Sequence, residues 1–472
     1  MVFSSNVFLF LFLPVFLIVY YLLPFKGRSA WILVGSYALY SWWRLDFLWL
    51  LAGVTLAAYF FALAIDRSSG PRRFQLLTVA VTLNLCALGY FKYANFGISS
   101  FNAAMTGLGF APFTWAPILL PIGLSFFIFH AISYLVDIYR KEEPPTRNLL
   151  DFAAFIALFP HLIAGPVLKY NLLADQFLSR THTLEKFSYG ATRFMTGFAK
   201  KVLIADTIAP LVTATFGQTS PSFFDSWLGA LAYTLQLYFD FSGYSDMAIG
   251  LAAMMGFKFP ENFNHPYISR SITEFWRRWH MSLSSWLREY LYIGLGGNRK
   301  GRTRTYVNLA LTMVLGGLWH GANWTFILWG TWHGGILAIE RRMKEAKLWQ
   351  PFPTWLTIPG TLLLVILGWV MFRADNVPAA FRMYKGMLGL NGVPLSDTLA
   401  WQVRPSELIT MLIAAVLVYV APVWGQRVGD VGSKLLRPGP AVVATVALLP
   451  LFVLAIMKLS AQSYTPFLYF QF

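Results

Sequence analysis

The stretch from Tyr306 to Ile339 constrains this chain most. In it a polar island, Gly316-Gly317-Leu318-Trp319-His320-Gly321-Ala322-Asn323-Trp324, interrupts sequence that is otherwise as apolar as lipid. An ionisable residue at membrane depth is costly and by default marks a functional site. The apolar run before His320, from Tyr306 to Trp319, is shorter than the ~20 residues one helix needs to cross a bilayer. The spacing therefore predicts a broken or re-entrant helix, tolerated only where protein or a water-filled cavity surrounds it. His320 is expected to line such a cavity rather than to face lipid.

That expectation needs a membrane, and the composition supports one. Of 472 residues, 57% are hydrophobic and 12% charged, with apolar runs from one end to the other. The expected fold class is all-α, a polytopic membrane protein, with apolar spans at 7–23, 30–43, 47–65, 74–91, 117–138, 355–373, 406–424 and 440–458. The first run, Val7 to Leu23, has no basic n-region before it and reads as a retained helix. The net charge of +16 does not call for nucleic acid, because the basic residues sit between apolar runs, where they set topology and meet anionic lipid headgroups. Arg67, Arg72 and Arg73 share one connection and Arg140, Lys141 and Arg147 another, whereas the intervening Tyr93 to Pro117 carries no charge. This alternation assigns the basic connections to the cytoplasm and the N-terminus to the opposite side. The single cysteine, Cys86, can form no intrachain disulfide and no cysteine-based metal site; it reads as core filler.

Several polar segments break the apolar pattern. Asn95 to Pro112, rich in Gly, Asn and Thr, reads as an outer loop. Asp151 to Gly165 is a half-span in which His161 lies between Pro160 and Pro166, so a second irregular element dips into the membrane. His161 either lines the cavity of His320 or hydrogen-bonds backbone freed by the prolines. Lys169 to Lys201 reads as surface-lying helices, with Thr183 a candidate N-cap. Trp227 to Met255 carries Asp240 and Asp246 near its middle. Their spacing puts them on different sides of a straight helix, so they form no acid/base dyad; each caps a broken helix or pairs with an arginine, or else serves the site.

The region Asn262 to Arg304 is the most basic, which marks it as cytoplasmic. At ~100° per residue, Trp276, Trp279, Leu283, Trp286, Leu287 and Tyr290 share one face of a helix and Arg277, Arg278, Ser285 and Arg288 the other. That is an amphipathic interfacial helix, with His280 inside its apolar arc. Gly294-Leu295-Gly296-Gly297-Asn298-Arg299 matches no phosphate-loop pattern. Trp332-His333-Gly334 repeats Trp319-His320-Gly321 at a spacing that fits neither a repeat fold nor a zinc site; His333 reads as a cavity or packing residue. Arg341, Arg342, Lys344 and Lys347 form another basic loop.

Gly-x-Ser-x-Gly, Glu-x-x-His and His-Glu-x-x-His are absent, so neither a serine nucleophile elbow nor a metal site is expected. The remaining chemistry is group transfer. A neutral imidazole can take a proton from a hydroxyl and return it, and burial favours that neutral form. His320 is the candidate base, with Asn323 or backbone N–H groups as supporting donors.

The phrases Pro266-Tyr267-Ile268-Ser269-Arg270-Ser271-Ile272-Thr273-Glu274-Phe275-Trp276-Arg277-Arg278-Trp279-His280, Tyr238-Phe239-Asp240-Phe241-Ser242-Gly243-Tyr244-Ser245-Asp246 and Gly316 to Ala322 resemble the membrane-bound O-acyltransferases. The opening Met1-Val2-Phe3-Ser4-Ser5-Asn6-Val7-Phe8 and Phe91-Lys92-Tyr93-Ala94-Asn95-Phe96 are similar to the branch that acetylates bacterial exopolysaccharides such as alginate and cellulose. The resemblance spans the chain. It implies one integral-membrane acyltransferase domain over 1–472, with N-terminal spans (1–138), a catalytic core (139–345) and C-terminal spans (346–472). It also implies a bundle of about 10–13 transmembrane or re-entrant helices around a funnel or tunnel, with cytoplasmic interfacial helices.

The resemblance makes His320 the essential intramembrane histidine and His280 a second active-site histidine. Trp276, Trp279, Trp319, His161, His333, Asp240 and Asp246 become tunnel or supporting candidates, and Arg277, Arg278 and Arg288 candidates for holding the donor. It implies acetyl-CoA as cytoplasmic donor, the bacterial inner membrane as location, and an exopolysaccharide synthesis and secretion complex as setting. The implied partner is a periplasmic SGNH-hydrolase-like acetyltransferase. Glu289 and Gly294 stand where the family has Asp and Pro, and His130 where the branch has an acid. Two alternatives stay open: a conduit that moves an acyl donor without chemistry, and D-alanyl transfer to a cell-wall polymer.

Overall fold

The computed structural model describes residues 2–347, 353–434, 438–461, 467 and 468. Among these residues the regular elements are all helical. Three helices are long and apolar enough to cross a membrane: Asp46–Arg67, Gly70–Gly107 and Thr354–Arg373. Phe8–Leu22, Pro405–Val420 and Val446–Ala461 are apolar but shorter. The contacts gather into two units, Met1–His182 with Met255–Phe259, and Thr183–Met254 with Pro260–Phe472.

The first unit contains α1 (Phe8–Leu22), α2 (Phe25–Ser41), α3 (Asp46–Arg67), α4 (Gly70–Gly107), α5 (Leu124–Arg140), α6 (Leu149–Ala157) and α7 (Phe159–Leu162). The expected loop at Asn95 is helix instead, since α4 runs on to Gly107. Its asparagines are clamps rather than turn formers. Asn95 Nδ2 donates to the Ile118 carbonyl at 2.7 Å while Asn95 Oδ1 accepts from the Ile118 N–H at 3.0 Å. Two turns on, Asn102 makes the same reciprocal pair with Phe113, both bonds 2.8 Å. Residues 113–118, outside any helix, are thereby fastened to α4, and the span expected from 117 starts at Leu124, after Gly123 in the left-handed region (φ 76°). Cys86 is exposed on α4, not core filler; as a small apolar side chain it is at home on a lipid-facing helix surface.

The irregular element around His161 is present, broken at Leu158 between α6 and α7. Asn148 caps α6 by accepting from the Leu150 and Asp151 N–H groups. His161 Nε2 donates to the Phe155 carbonyl at 2.8 Å, and its ring stacks on that of His130, centroids 4.4 Å apart. The partner is a backbone carbonyl, though not one freed by Pro160 or Pro166, since Phe155 also accepts from the Leu158 N–H.

The second unit begins at the predicted N-cap, Thr183, whose hydroxyl accepts from the Lys186 N–H. It comprises α8 (Leu184–Ala199), a π-helical turn at Lys200–Ala205, α9 (Asp206–Phe216), α10 (Phe223–Met254), two short helices described below, α13 (Arg302–His320), α14 (Trp324–Glu345), α15 (Thr354–Arg373), α16 (Val377–Met387), α17 (Pro405–Lys434) and α18 (Pro438–Ala461). One face of α8 packs on α10. Gly190 and Gly197 abut the backbone of Gly250 and Gly243 on α10, so closely that a Cβ on any of the four would collide with the facing chain. The small side chains that look like surface composition are a helix contact.

α10 is an unbroken helix of 32 residues, so neither central aspartate caps a break. The two point to different sides, as their spacing requires, and each is paired. Asp240 meets Lys201 at 2.7 Å, and Lys201 also meets Asp206 at 2.6 Å. Asp246 meets Arg193 at 2.7 Å and Lys200 at 2.6 Å. Buried carboxylates persist only with such partners. α10, α15 and α16 share a core of Ala230, Ile366, Val370, Met383 and Met387. Of the aromatic C-terminal segment, Phe467 and Leu468 are described and buried; the rest lies outside the described residues.

Candidate active site

The expected single helix through Trp276 and Tyr290 is two. α11 (Ile272–Arg278) and α12 (Met281–Trp286) meet at Trp279 and His280, and a π-helical turn, Leu287–Tyr292, follows. α11 starts where Ser271 accepts from the Glu274 N–H at 3.1 Å, and where Glu340 of α14 accepts from the N–H groups of Ile272 (2.6 Å) and Thr273 (3.0 Å). A carboxylate on free N–H groups stabilises that end. Ser271-x-x-Glu274 is a legible capping signature; the distant Glu340 has no local signal.

His280 therefore sits at the junction, not in a helical arc, with φ 43°. Left-handed backbone at a non-glycine residue is strained and clusters at functional sites. The ring is fully buried. Asn262 Oδ1 accepts from the Ser282 N–H (3.2 Å) and Oγ–H (2.8 Å), and His280 Nδ1 lies 3.2 Å from the same oxygen and 3.4 Å from Ser282 Oγ. Burial pushes the imidazole down to about 3, so it is neutral at cellular pH. Asn262 is itself fixed by donating to Ser245 Oγ on α10 at 3.0 Å. Its role is invisible in sequence, because nothing in the spacing ties it to His280.

His320 is the last residue of α13, which runs unbroken for 19 residues. The predicted interruption shrinks to Gly321–Asn323, because Gly316 and Gly317 stay helical, and Gly317 lets α14 approach. A Cβ on Gly317 would strike the Phe326 carbonyl, and one on Gly330 the Met313 carbonyl. Asn323 caps α14, accepting from the Thr325 N–H at 3.2 Å and donating to the Asp375 carbonyl at 2.9 Å; both ends of its amide are committed to structure. The His320 imidazole packs edge-on among Trp319 (4.9 Å between centroids), Trp329 (5.1 Å) and Phe372 (5.2 Å).

Beside it opens a cavity of about 330 Å³ whose lining includes His320, Trp276, Trp329, Leu283, Leu287, Met313 and Gly316, together with Arg277 and Arg288. The walls are mostly apolar, and the lining hydroxyls of Thr273, Ser284 and Thr312 are turned to Glu340, the Trp279 carbonyl and the Asn308 carbonyl. Arg277 and Arg288 are exposed. A larger, more open hollow of about 970 Å³ borders α9 at Asp206, Thr213 and Gln218, with no histidine in its lining.

The structure thus gathers His320, Trp276, Arg277 and Arg288 around one cavity. His280 and Trp319 are not in its wall, although Trp319 touches both histidines, 6.0 Å from the His280 ring and 4.9 Å from that of His320. Trp279 is buried against Phe275 and Trp369. His333 is buried among Trp276, Trp329 and Trp369 and does not line the cavity. Arg278 pairs with Glu274, 2.8 Å away, and with the Asn264 carbonyl, and is not in the cavity lining. Asp240, Asp246 and Asn323 have structural partners, and His161 belongs to the first unit. Leu283, Leu287, Met313 and Trp329 were not singled out as site residues; apolar cavity walls read in sequence like any membrane core.

A model of the MBOAT, membrane-bound O-acyltransferase family, matches residues 32–375. The chain is 53% identical to the probable alginate O-acetylase of Azotobacter vinelandii and 55% identical to that of Pseudomonas putida, in each case over the whole of both chains. It is 37% identical to the peptidoglycan O-acetyltransferase of Helicobacter pylori, over 84% of this chain and 81% of that one.

Proposed function

The chain belongs to the membrane-bound O-acyltransferase family, and from that premise we propose that it acetylates an exopolysaccharide, alginate in the first instance, with His320 as the general base at the inner end of a cavity for a cytoplasmic acetyl thioester. It is an O-acyltransferase, which sets aside a passive conduit. The acetyl group is preferred to D-alanyl because the relatives at 53% and 55% identity carry acetylase names.

The observation that carries the proposal is the lining of the 330 Å³ cavity, which combines exposed Arg277 and Arg288, apolar walls and a buried imidazole. Acetyl-CoA matches it in kind: its phosphates suit the arginines and its narrow arm the apolar walls. In the transfer, a His320 ring nitrogen takes the proton of an acceptor hydroxyl as the hydroxyl oxygen bonds to the thioester carbonyl carbon. The C–S bond breaks, and the thiolate leaves with the electron pair and takes up a proton. General-base catalysis supplies ~10²–10⁴ in rate, and positioning the remainder. His280, neutral and oriented by Asn262, assists.

The acceptor side is the periplasm, where an SGNH-hydrolase-like partner within the polymer's synthesis and secretion complex completes the transfer to sugar. The arginine-rich 270–304 and the uncharged 93–117 support an inner-membrane topology with 270–304 cytoplasmic and the N-terminus periplasmic. The test is His320→Ala in cells with the remaining machinery intact, counting O-acetyl groups on the secreted polymer by NMR. Loss of acetylation at unchanged protein and polymer levels is expected; wild-type acetylation would overturn the proposal.

A further inference from the structure

Tyr238 to Asp246 of α10 serves three neighbours at once. Gly243 and Asp246 face α8 and its cations. Phe241 and Ser245 face His280 and Asn262. Asp240 and Tyr244 face Phe467 and Leu468, which are distant in sequence yet only 3% and 5% exposed.

Phe467 and Leu468 are held in two ways. The Leu468 N–H donates to Asp240 Oδ2 at 3.1 Å, a charge-assisted bond to a carboxylate already opposed by Lys201. The Phe467 ring stacks on Tyr244, centroids 4.5 Å apart and planes at 28°. From there it stands 6.0 Å from Phe241, and Phe241 meets the His280 ring in a T-shape, 4.6 Å away at 83°. The Phe241 ring therefore connects Phe467 to the second histidine.

We infer that Phe467 and Leu468 are positioning residues for His280, acting through Phe241. His280 lies at a helix junction with strained backbone, so side-chain contacts must orient its ring, and Asn262 and Phe241 provide them. Removing the Phe467 ring leaves a void beside Phe241 in a close-packed interior, and Phe241 and His280 can relax into it. A displacement of about 1 Å at a catalytic group costs ~10²-fold in rate.

This inference rests on the proposed role of His280, and the test separates the two. Full-length protein in detergent is treated with diethyl pyrocarbonate, His280 modification is read by peptide mass spectrometry, and acetyl transfer from acetyl-CoA is measured alongside. Phe467→Ala is expected to raise His280 labelling at least ~10-fold and lower kcat ~10–100-fold, with KM for acetyl-CoA within about twofold, because orientation and not donor binding is lost. Phe467→Leu, which refills the void, recovers most of both. Leu468→Pro, which deletes the N–H, behaves like Phe467→Ala, whereas Leu468→Ala does not; this pair carries the test should Phe467→Ala fail to fold. Labelling at the wild-type level, or raised labelling with wild-type kcat, overturns the inference. Full activity in His280→Gln would instead overturn the catalytic role of His280.

Discussion

Trp329 stands almost perpendicular to His320, their ring centroids 5.1 Å apart at 88°, and it belongs both to the wall of the 330 Å³ cavity and to the packing around the imidazole. Its indole is 1% exposed and also touches Trp276, His333, Trp369 and Phe372. One side chain thus couples the stability of the second unit to the orientation of the His320 ring.

Trp329→Ala should lower stability by ~3–5 kcal/mol, the usual cost of deleting a buried aromatic, and abolish transfer. Trp329→Phe should keep most of the stability but reduce kcat, because the smaller ring lets His320 turn. Thermal unfolding in detergent, measured beside kcat, checks both; equal losses of kcat in the two variants would contradict the coupling.

Asn262→Asp tests the electrostatics of His280. In the wild type, burial holds this imidazole near 3, so it stays neutral between about pH 5 and 8. A carboxylate at the Asn262 position, 3.2 Å from Nδ1, favours the imidazolium and raises the pKa. Activity that needs the neutral ring is then lost as pH falls through the raised value. The pH–rate profile of Asn262→Asp should gain an acid limb, displaced to higher pH relative to the wild type; superimposable profiles would contradict the role given to His280.

Asp246→Ala removes the shared partner of Arg193 and Lys200. Each cation loses a charge-assisted bond while Arg193 keeps Glu261 at 2.5 Å, so the variant should lose ~1–3 kcal/mol, melt earlier and accumulate less in membranes. Because Asp246 lies outside the cavity proposed for the donor, KM for acetyl-CoA in the surviving protein should be unchanged. A raised KM at wild-type stability would count against a purely structural aspartate.

Gly316→Val tests the cavity. A Cβ on Gly316 would lie 3.1 Å from Leu287 Cδ1, and the added methyl groups would take up donor space. Overpacking of this kind costs ~1–3 kcal/mol, here expressed mainly as a raised KM for acetyl-CoA. Isothermal titration and steady-state kinetics would show it.

The parts of this molecule legible in sequence are those with local causes. Apolar runs marked the membrane helices, Thr183 announced the start of α8, and His320 stood out because a titratable group in lipid-like sequence has few excuses. Asp240 and Asp246 were legible as a non-dyad because a helical period decides which residues share a face. What stayed hidden depends on distant partners. The asparagines of α4 read as turn formers because their partners, Phe113 and Ile118, are set by tertiary structure. The break at His280 escaped notice because the hydrophobic period of Trp276 to Tyr290 continues across it, and Glu340 and Asn262, which fix the two sides of that break, are remote in the chain.

Under the proposal, His320 acts on a thioester held in the cavity of Arg277 and Arg288. Release of free CoA thiol from acetyl-CoA by the purified protein, with its periplasmic partner and acceptor supplied, tests it most directly. The account predicts that His320→Ala lowers turnover by ~10²–10⁴-fold while acetyl-CoA still binds, and that Arg277→Glu with Arg288→Glu raises KM with kcat largely kept. Turnover by His320→Ala within about twofold of wild type would contradict it.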